Sequence, residues 1–322
     1  YLEQARTFLM LPDYFHFLLT GEKRSEYTNA TSTQLVNAET KDWDDEVISR
    51  LGYPREMFLP LSQPGTQVGV FTKEIEKEVG FSCQVVLPAT HDTASAVMAV
   101  PCQEDNCLYI SSGTWSLMGT ENKKAICTEE SRQKNFTNEG GYDFRYRYLK
   151  NIMGLWMIQS VRHEEKDQYS FAQLCEMVDE CSDFPSRVFV NAQEFLAPES
   201  MTEAVRQYCE KSGQRVPETT GELAAVIYQS LAKCYGETVQ EIEQLTGEHY
   251  DTIHIVGGGA NADYLNRLTA SQSGRRVLAG PSEATAIGNL MAQMIGKGEF
   301  AGLMQARACV AESFPIREYQ KG

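Results

Sequence analysis

Apolar positions recur along the chain at two spacings, and glycines and prolines punctuate them. Pro12 stands where a first helical turn tolerates it, and Tyr14, Phe15, Phe17, Leu18 and Leu19 make a mostly apolar helix that Gly21 can stop. Asp42 can cap a second helix over Trp43 to Leu51, with Asp44, Asp45 and Glu46 favourably placed in its first turn and Gly52 after its end. A short helix from Lys73 to Val79 closes at Gly80, and a strand from Cys83 to Leu87 ends at Pro88. His91-Asp92-Thr93 follows, and then the small-residue run Ala94 to Ala99, so the order is strand, loop, helix.

Past Pro101 the pattern changes. Leu108 to Gly119 has two β-prone apolar flanks around Ser111-Ser112-Gly113-Thr114, the pattern of a hairpin with a polar tip. A β segment over Phe144 to Leu149 runs into a helical stretch from Met153 to His163. Leu223, Val226, Ile227, Leu231, Cys234, Val239, Ile242 and Leu245 then recur at three- and four-residue steps up to Gly247, a long helix with one buried stripe. Thr252 to Val256 reads as a buried strand, Gly257-Gly258-Gly259-Ala260 as a turn, and Tyr264, Leu265 and Leu268 as the helix after it. A last strand, Arg276 to Ala279, ends at Gly280-Pro281 before a helix from Ala284 to Ile295. Strand, glycine turn and helix in succession predict an α/β fold with ligands held at strand ends. The change near residue 100 divides the chain into 1–100 and 101–322.

Composition narrows the class. The 322 residues are 42% hydrophobic and 23% charged, which suits a folded globular protein of one large domain or two ordinary ones. The net charge of −15 is spread along the chain without an acidic tail, which argues against nucleic acid as a partner. No apolar run approaches the roughly 20 residues of a bilayer span, so no membrane is expected. The nine cysteines are scattered and form no C-x-x-C pair. That pattern predicts free thiols in a reducing, cytoplasmic compartment and supports neither a zinc site nor a disulfide framework. The chain opens Tyr1-Leu2-Glu3, with neither an initiator Met nor a signal-like segment, as if already under way.

Three segments could carry chemistry. Gly257-Gly258-Gly259 would let backbone amides approach a phosphate at a helix start, but it matches neither the P-loop nor the dinucleotide fingerprint, and a simple tight turn explains it equally well. The tip Ser111 to Thr114 can form an anion-holding nest or a polar turn that satisfies itself. Asp92, after a strand end, is placed either to cap the next helix or to accept a proton from a hydroxyl during phosphoryl transfer, and the two roles can coexist. A serine hydrolase fits poorly, since no Gly-x-Ser-x-Gly elbow accompanies His91 and Asp92. Trp115 and Trp156 read as core or wall residues.

Taken together, these segments resemble the FGGY family of carbohydrate kinases. The matching stretches run in order over nearly the whole chain: Met10 to Phe15, Leu19-Thr20-Gly21, Glu26 to Thr31, Thr33 to Asn37, His91 to Val97, Ser111 to Gly119, Thr137 to Gly141, Lys150 to Trp156, His254 to Gly259 and Ala279-Gly280-Pro281. Gly113 to Met118 and Lys150 to Trp156 resemble the branch that phosphorylates L-rhamnulose at O1 with ATP. The resemblance implies an α/β, actin-like (ribonuclease H-like) fold. It implies Asp92 as catalytic base, His91, Asp92, Thr93 and Asn151 as sugar contacts, and Thr114, Gln159 and Gly258 as nucleotide contacts. ATP is implied as phosphate donor, with magnesium bridging its phosphates largely through water ligands.

The family's opening Asp-x-Gly-Ala-Ser-Ser hairpin has no counterpart in the sequence. Residues 1–100 therefore read as the later part of a first kinase domain and 101–322 as a second one. Such a chain is expected to be incomplete as a kinase and to self-associate through the edges and apolar surface left exposed. Of the family's cysteine pair near the long helix, Cys209 matches one member but Val226 stands at the other, so no disulfide is expected there. The alternatives are a family member acting on xylulose, fuculose or glycerol, and a non-catalytic nucleotide-binding or dimerising module.

Overall fold

A computed structural model describes residues 2–321 and divides them into two compact units. The first gathers the residues through Asn106 with Thr120–Leu149 and Glu283–Pro315; the second gathers Cys107–Gly119, Lys150–Ser282 and the residues from Ile316 onward.

In the first unit, helix Leu11–Thr20 carries Pro12 in its opening turn and stops at Gly21, whose φ of 76° lets its N–H turn back onto the carbonyl of Phe17. Strand Ser25–Glu26 pairs in parallel with Leu61–Ser62 and leads straight into the buried helix Tyr27–Ala30. The second predicted helix is shorter than expected: it spans Asp45–Arg50, and Asp44 is its cap, accepting the N–H of Val47. Trp43 is instead drawn into the core, where its ring packs on Phe58 and its indole N–H donates to the carbonyl of Leu59 at 2.6 Å. Burial of that ring outweighs the pull of three acidic residues toward an earlier helix start. Lys73–Val79 ends at Gly80 as predicted, and Gln84–Val86 pairs antiparallel with Gln67–Val70. Helix Asp92–Met98 is buried from Thr93 to Met98 and packs against Ala284–Lys297.

The main sheet has seven strands in the order Arg317–Tyr319, Arg276–Ala279, Thr252–Val256, Leu108–Ser112, Trp115–Asn122, Tyr146–Met153 and Thr137–Gly140. Two of them, Trp115–Asn122 and Tyr146–Met153, begin in one unit and end in the other. Thr252–Val256 lies parallel to both of its neighbours, the arrangement expected from its alternation with helices. The predicted hairpin is present, with Gly113 and Thr114 at its turn. Met153 belongs to the strand and not to the helix, which begins at Trp156.

In the second unit the long helix runs over Thr220–Thr246. It opens with a capping box between Thr219 and Glu222 and closes at Gly247 with φ 74°. The free-thiol expectation fails at two positions: Cys102 and Cys107 are disulfide-bonded, whereas Cys209 is free and buried. Scattered spacing hid the pair, because a local bridge across a short loop needs no periodic cysteine pattern. No helix of the described residues is long and apolar enough to cross a membrane.

Candidate active site

Within the first unit the chain reaches His91-Asp92-Thr93 through a buried scaffold. Glu26, fully buried, accepts the N–H of Thr28 on Oε1 at 2.8 Å, and on Oε2 the Thr28 hydroxyl at 2.6 Å and the N–H of Asn29 at 3.1 Å. The same Oε2 takes the N–H and hydroxyl of Thr90. The Thr28 hydroxyl in turn accepts the N–H of His91 at 3.3 Å. Burial pushes the Glu26 carboxyl up, and the hydrogen bonds from Thr28, Thr90 and Asn29 oppose that shift. A short helix and the loop before Asp92 are thus joined by one carboxylate.

Asp92 is the first residue of helix Asp92–Met98, and its side chain is 82% exposed. Oδ1 accepts the N–H of Thr93 at 2.7 Å and lies 4.0 Å from His91 Nδ1. The carboxylate therefore pins the helix's first turn through one oxygen while standing in solvent, so the cap-like role leaves its other oxygen open. Thr93 is buried, and its hydroxyl leans on the same Oδ1 at 3.4 Å.

His91 caps that helix through its backbone, and its side chain makes no capping hydrogen bond. Its Nδ1 lies 3.3 Å from Arg147 Nη2 and its Nε2 lies 3.9 Å from Glu139 Oε2. Arg147 and Glu139 are directly opposed on antiparallel strands and pair at 3.1 Å. Burial and the Arg147 charge hold the His91 imidazole below its ordinary value, with Glu139 and Asp92 pulling the other way. That direction favours the neutral imidazole.

Within the second unit the hairpin tip and the glycine turn come together. Gly257 has φ 85°, and a β-carbon there would stand 2.8 Å from the carbonyl oxygen of Ser112; at Gly259 it would stand 1.9 Å from the Ser112 hydroxyl. Gly258, between them, faces open space. Two of the glycines are thus required by packing on the hairpin, and the middle one leaves its backbone approachable. At the tip, the carbonyls of Gly113 and Thr114 accept the N–H groups of Leu155 and Trp156, each at 3.1 Å, so the tip also seats the start of helix Trp156–Glu164. One turn into that helix, Gln159 lines a cavity of about 430 Å³ with Trp156, Arg162, His163, Glu164 and Met201. Trp156 is a wall residue there, whereas Trp115 is 40% exposed and belongs to no core. Asn151 sits exposed on strand Tyr146–Met153, beside Lys150, which is paired with Glu241 at 2.6 Å.

Of the predicted residues, His91, Asp92 and Thr93 form one cluster in the first unit, while Thr114, Gln159 and Gly258 gather around the hairpin tip of the second. Glu26, Glu139 and Arg147 had no role assigned from the sequence. Glu26 and Glu139 lie inside stretches that carry the family resemblance, but only the folded geometry shows what their carboxylates hold.

Models of the FGGY family of carbohydrate kinases match the chain over most of its length, the N-terminal domain at residues 1–99 and the C-terminal domain at 108–296. A rhamnulokinase of Halalkalibacterium halodurans is 49% identical over 98% of this chain and 68% of its own length. Those of Oceanobacillus iheyensis and Bacillus subtilis are 48% and 42% identical over 99% of this chain, and over 68% and 66% of their own lengths. The chain thus spans about two thirds of the curated relatives it matches. Among solved structures, a ligand-bound xylulose kinase from Lactobacillus acidophilus superposes with a TM-score of 0.76 at 15% identity, covering 99% of this chain and 64% of that one. Plasmodium falciparum glycerol kinase with ADP superposes with a TM-score of 0.75 at 13% identity, covering 97% and 62%. These two likenesses establish the actin-like fold.

Proposed function

Because the chain belongs to the FGGY family of carbohydrate kinases, we propose that it carries out the phosphorylation of L-rhamnulose by ATP, giving L-rhamnulose 1-phosphate and ADP. The observation that carries this reading is the 48–49% identity to rhamnulokinases over 98–99% of the chain. Kinases of the same family for xylulose, fuculose or glycerol are the runner-up. Residues 1–100 would supply His91, Asp92 and Thr93 to the sugar, and 101–322 the nucleotide contacts together with Asn151.

Phosphoryl transfer asks little covalent chemistry of a protein; positioning and charge neutralisation supply most of the rate. Asp92 would accept the proton of the attacking hydroxyl. Its recorded contacts all fall on Oδ1, which leaves Oδ2 to face the substrate. His91, Thr93 and Asn151 would hold the sugar. Thr114 and Gly258 would receive the phosphates, since Gly258 has nothing within 4 Å of where a side chain would start, and Gln159 would contact the nucleotide from its cavity. Magnesium bound to the phosphates would neutralise their charge. The described residues contain no cluster of three or more His, Cys, Asp or Glu fitted to hold a metal, so the ion would be carried by the nucleotide and water.

The test is a coupled ADP-release assay over a panel of ketoses and glycerol. L-Rhamnulose is expected to give the highest kcat/KM, and Asp92→Asn to lower kcat by about 10²–10⁴ with an unchanged melting temperature. Wild-type kcat in Asp92→Asn, or a preference for another sugar, would overturn the assignment.

A further inference from the structure

We propose that Arg147 and Glu139 are the positioning pair of the sugar side of this site: the guanidinium fixes His91 as its Nε2–H tautomer, and Glu139 shares one substrate hydroxyl with that Nε2–H. The identity of the hydroxyl-bearing ligand rests on the kinase reading; the tautomer does not.

A guanidinium has only donors, so the nitrogen it meets on a histidine must be the unprotonated acceptor. Arg147 Nη2 meets Nδ1 at 3.3 Å, which leaves the ring proton on Nε2. The arginine is itself tied down by its contacts. It is fully buried, its Nε donates to the carbonyl of Gly140 at 3.1 Å, and the directly opposed Glu139 balances its charge at 3.1 Å. Burying a guanidinium beside a histidine is costly in stability and leaves Arg147 Nη1 without a partner, an expense that packing alone does not call for.

The other side of the ring faces the same carboxylate at a longer distance. Glu139 Oε2 is buried, is met on one side by Arg147 Nη2 at 3.1 Å, and stands 3.9 Å from His91 Nε2. That gap is too long for a direct hydrogen bond, yet an oxygen set between them lies within reach of both. The group that satisfies both must accept from an N–H and donate to a carboxylate, which is what an alcohol hydroxyl does. A ketone oxygen has no proton to give the carboxylate, and a phosphate would be repelled by it. The charged groups facing the ring are Arg147, Glu139 and Asp92. Burial and Arg147 hold the imidazole neutral, so the donor is present without a competing positive charge.

Nitrogen-15 spectra of the imidazole rings test this directly, with His91 identified by the signals lost in His91→Gln. The wild-type protein at pH 7 is expected to show His91 protonated on Nε2 only. A proton on Nδ1, or a tautomer mixture, would overturn the proposal without any variant having to fold. In Arg147→Met/Glu139→Gln, which removes both charges so that neither is left unpaired, the ring is expected to become a tautomer mixture. The same variant is expected to raise KM for the ketose about tenfold while KM for ATP stays within about twofold. An unchanged tautomer in that variant, or ketose and ATP constants rising together, would also overturn it. A wild-type protein that phosphorylates no ketose would defeat the kinase reading but leave the spectra decisive for the tautomer.

Discussion

Glu26 and Thr90 lie 64 positions apart and are joined twice on a single oxygen: Glu26 Oε2 takes the Thr90 N–H at 3.1 Å and the Thr90 hydroxyl at 2.7 Å. Thr90 is two residues from Asp92, so the carboxylate sets where the loop before Asp92 leaves the core. Glu26→Gln keeps the shape but turns an NH₂ toward groups that all donate. Unpaired buried donors cost about 1–3 kcal/mol each, so a loss of about 2–4 kcal/mol in denaturant unfolding is expected. A fall in kcat greater than in kcat of surface controls should accompany it; wild-type stability in Glu26→Gln would show that the network carries no net energy.

Asp13 gives a pH dependence with a definite sign. Its carboxyl is fully buried and accepts the N–H of Glu26 at 3.2 Å. Burial pushes it from 3.8 up to about 7; the Glu26 N–H opposes the shift and the Glu26 charge adds to it. A carboxyl raised on folding binds its proton more tightly in the native state. Its contribution to stability is therefore fully present below about pH 4 and is lost as pH rises through about 7. Asp13→Asn has no proton to lose. The difference in unfolding free energy between variant and wild type should grow in the variant's favour from pH 4 to pH 8, by an amount on the order of a few kcal/mol. A difference flat across that range would refute the shift.

The glycine-rich places separate packing from ligand approach. A β-carbon at Gly288 would stand 1.8 Å from the carbonyl oxygen of Ser95, where helix Ala284–Lys297 crosses helix Asp92–Met98. One at Gly258 would meet nothing within 4 Å. Gly288→Ala is expected to lose about 1–3 kcal/mol or more and to displace the helix that begins at Asp92. Gly258→Ala is expected to melt at the wild-type temperature and to raise KM for ATP alone. Thermal melts and nucleotide titrations on the two variants check both, and a destabilised Gly258→Ala would remove the case for an open phosphate face there.

What the sequence made legible follows from how local each signal is. The long helix Thr220–Thr246 announces itself through its apolar stripe, its Thr219 cap and Gly247, all within the element. The hairpin at Gly113-Thr114 is equally local. Trp43 was misplaced because its environment, Phe58 and the Leu59 carbonyl, comes from a later segment. The same holds for function. Asp92, His91 and Gly258 stand in short recognisable motifs, whereas Arg147 becomes meaningful only when strand pairing sets it opposite Glu139 and beside His91. Residues that act through another residue leave no pattern along the chain.

The other end of the Asp92 helix is held by a second buried ion pair. Arg307 is 1% exposed; it donates to the carbonyls of Val97 and Met98 at 2.9 and 3.2 Å and pairs with Glu121, which is 3% exposed. The Val97 carbonyl also accepts the N–H of Val100 at 3.2 Å, whereas the Met98 carbonyl ends the helix, so the arginine completes that end as a cap delivered from a distant segment. Arg307→Met removes the donor of the Met98 carbonyl and leaves Glu121 only the weaker attraction of Arg145 Nε at 3.7 Å. Removing one partner of a buried pair costs about 3–5 kcal/mol, whereas removing both charges is far milder. Arg307→Met/Glu121→Gln is therefore expected to recover about 1–2 kcal/mol of the single variant's loss, but not all of it, because the Met98 carbonyl stays unpaired. Denaturant unfolding of the wild type, both single variants and the double variant measures the coupling. If the double variant is as unstable as the sum of the singles, Arg307 acts as a helix cap and the ion pair adds nothing; if it regains wild-type stability, the carbonyl bonds are the part without energy.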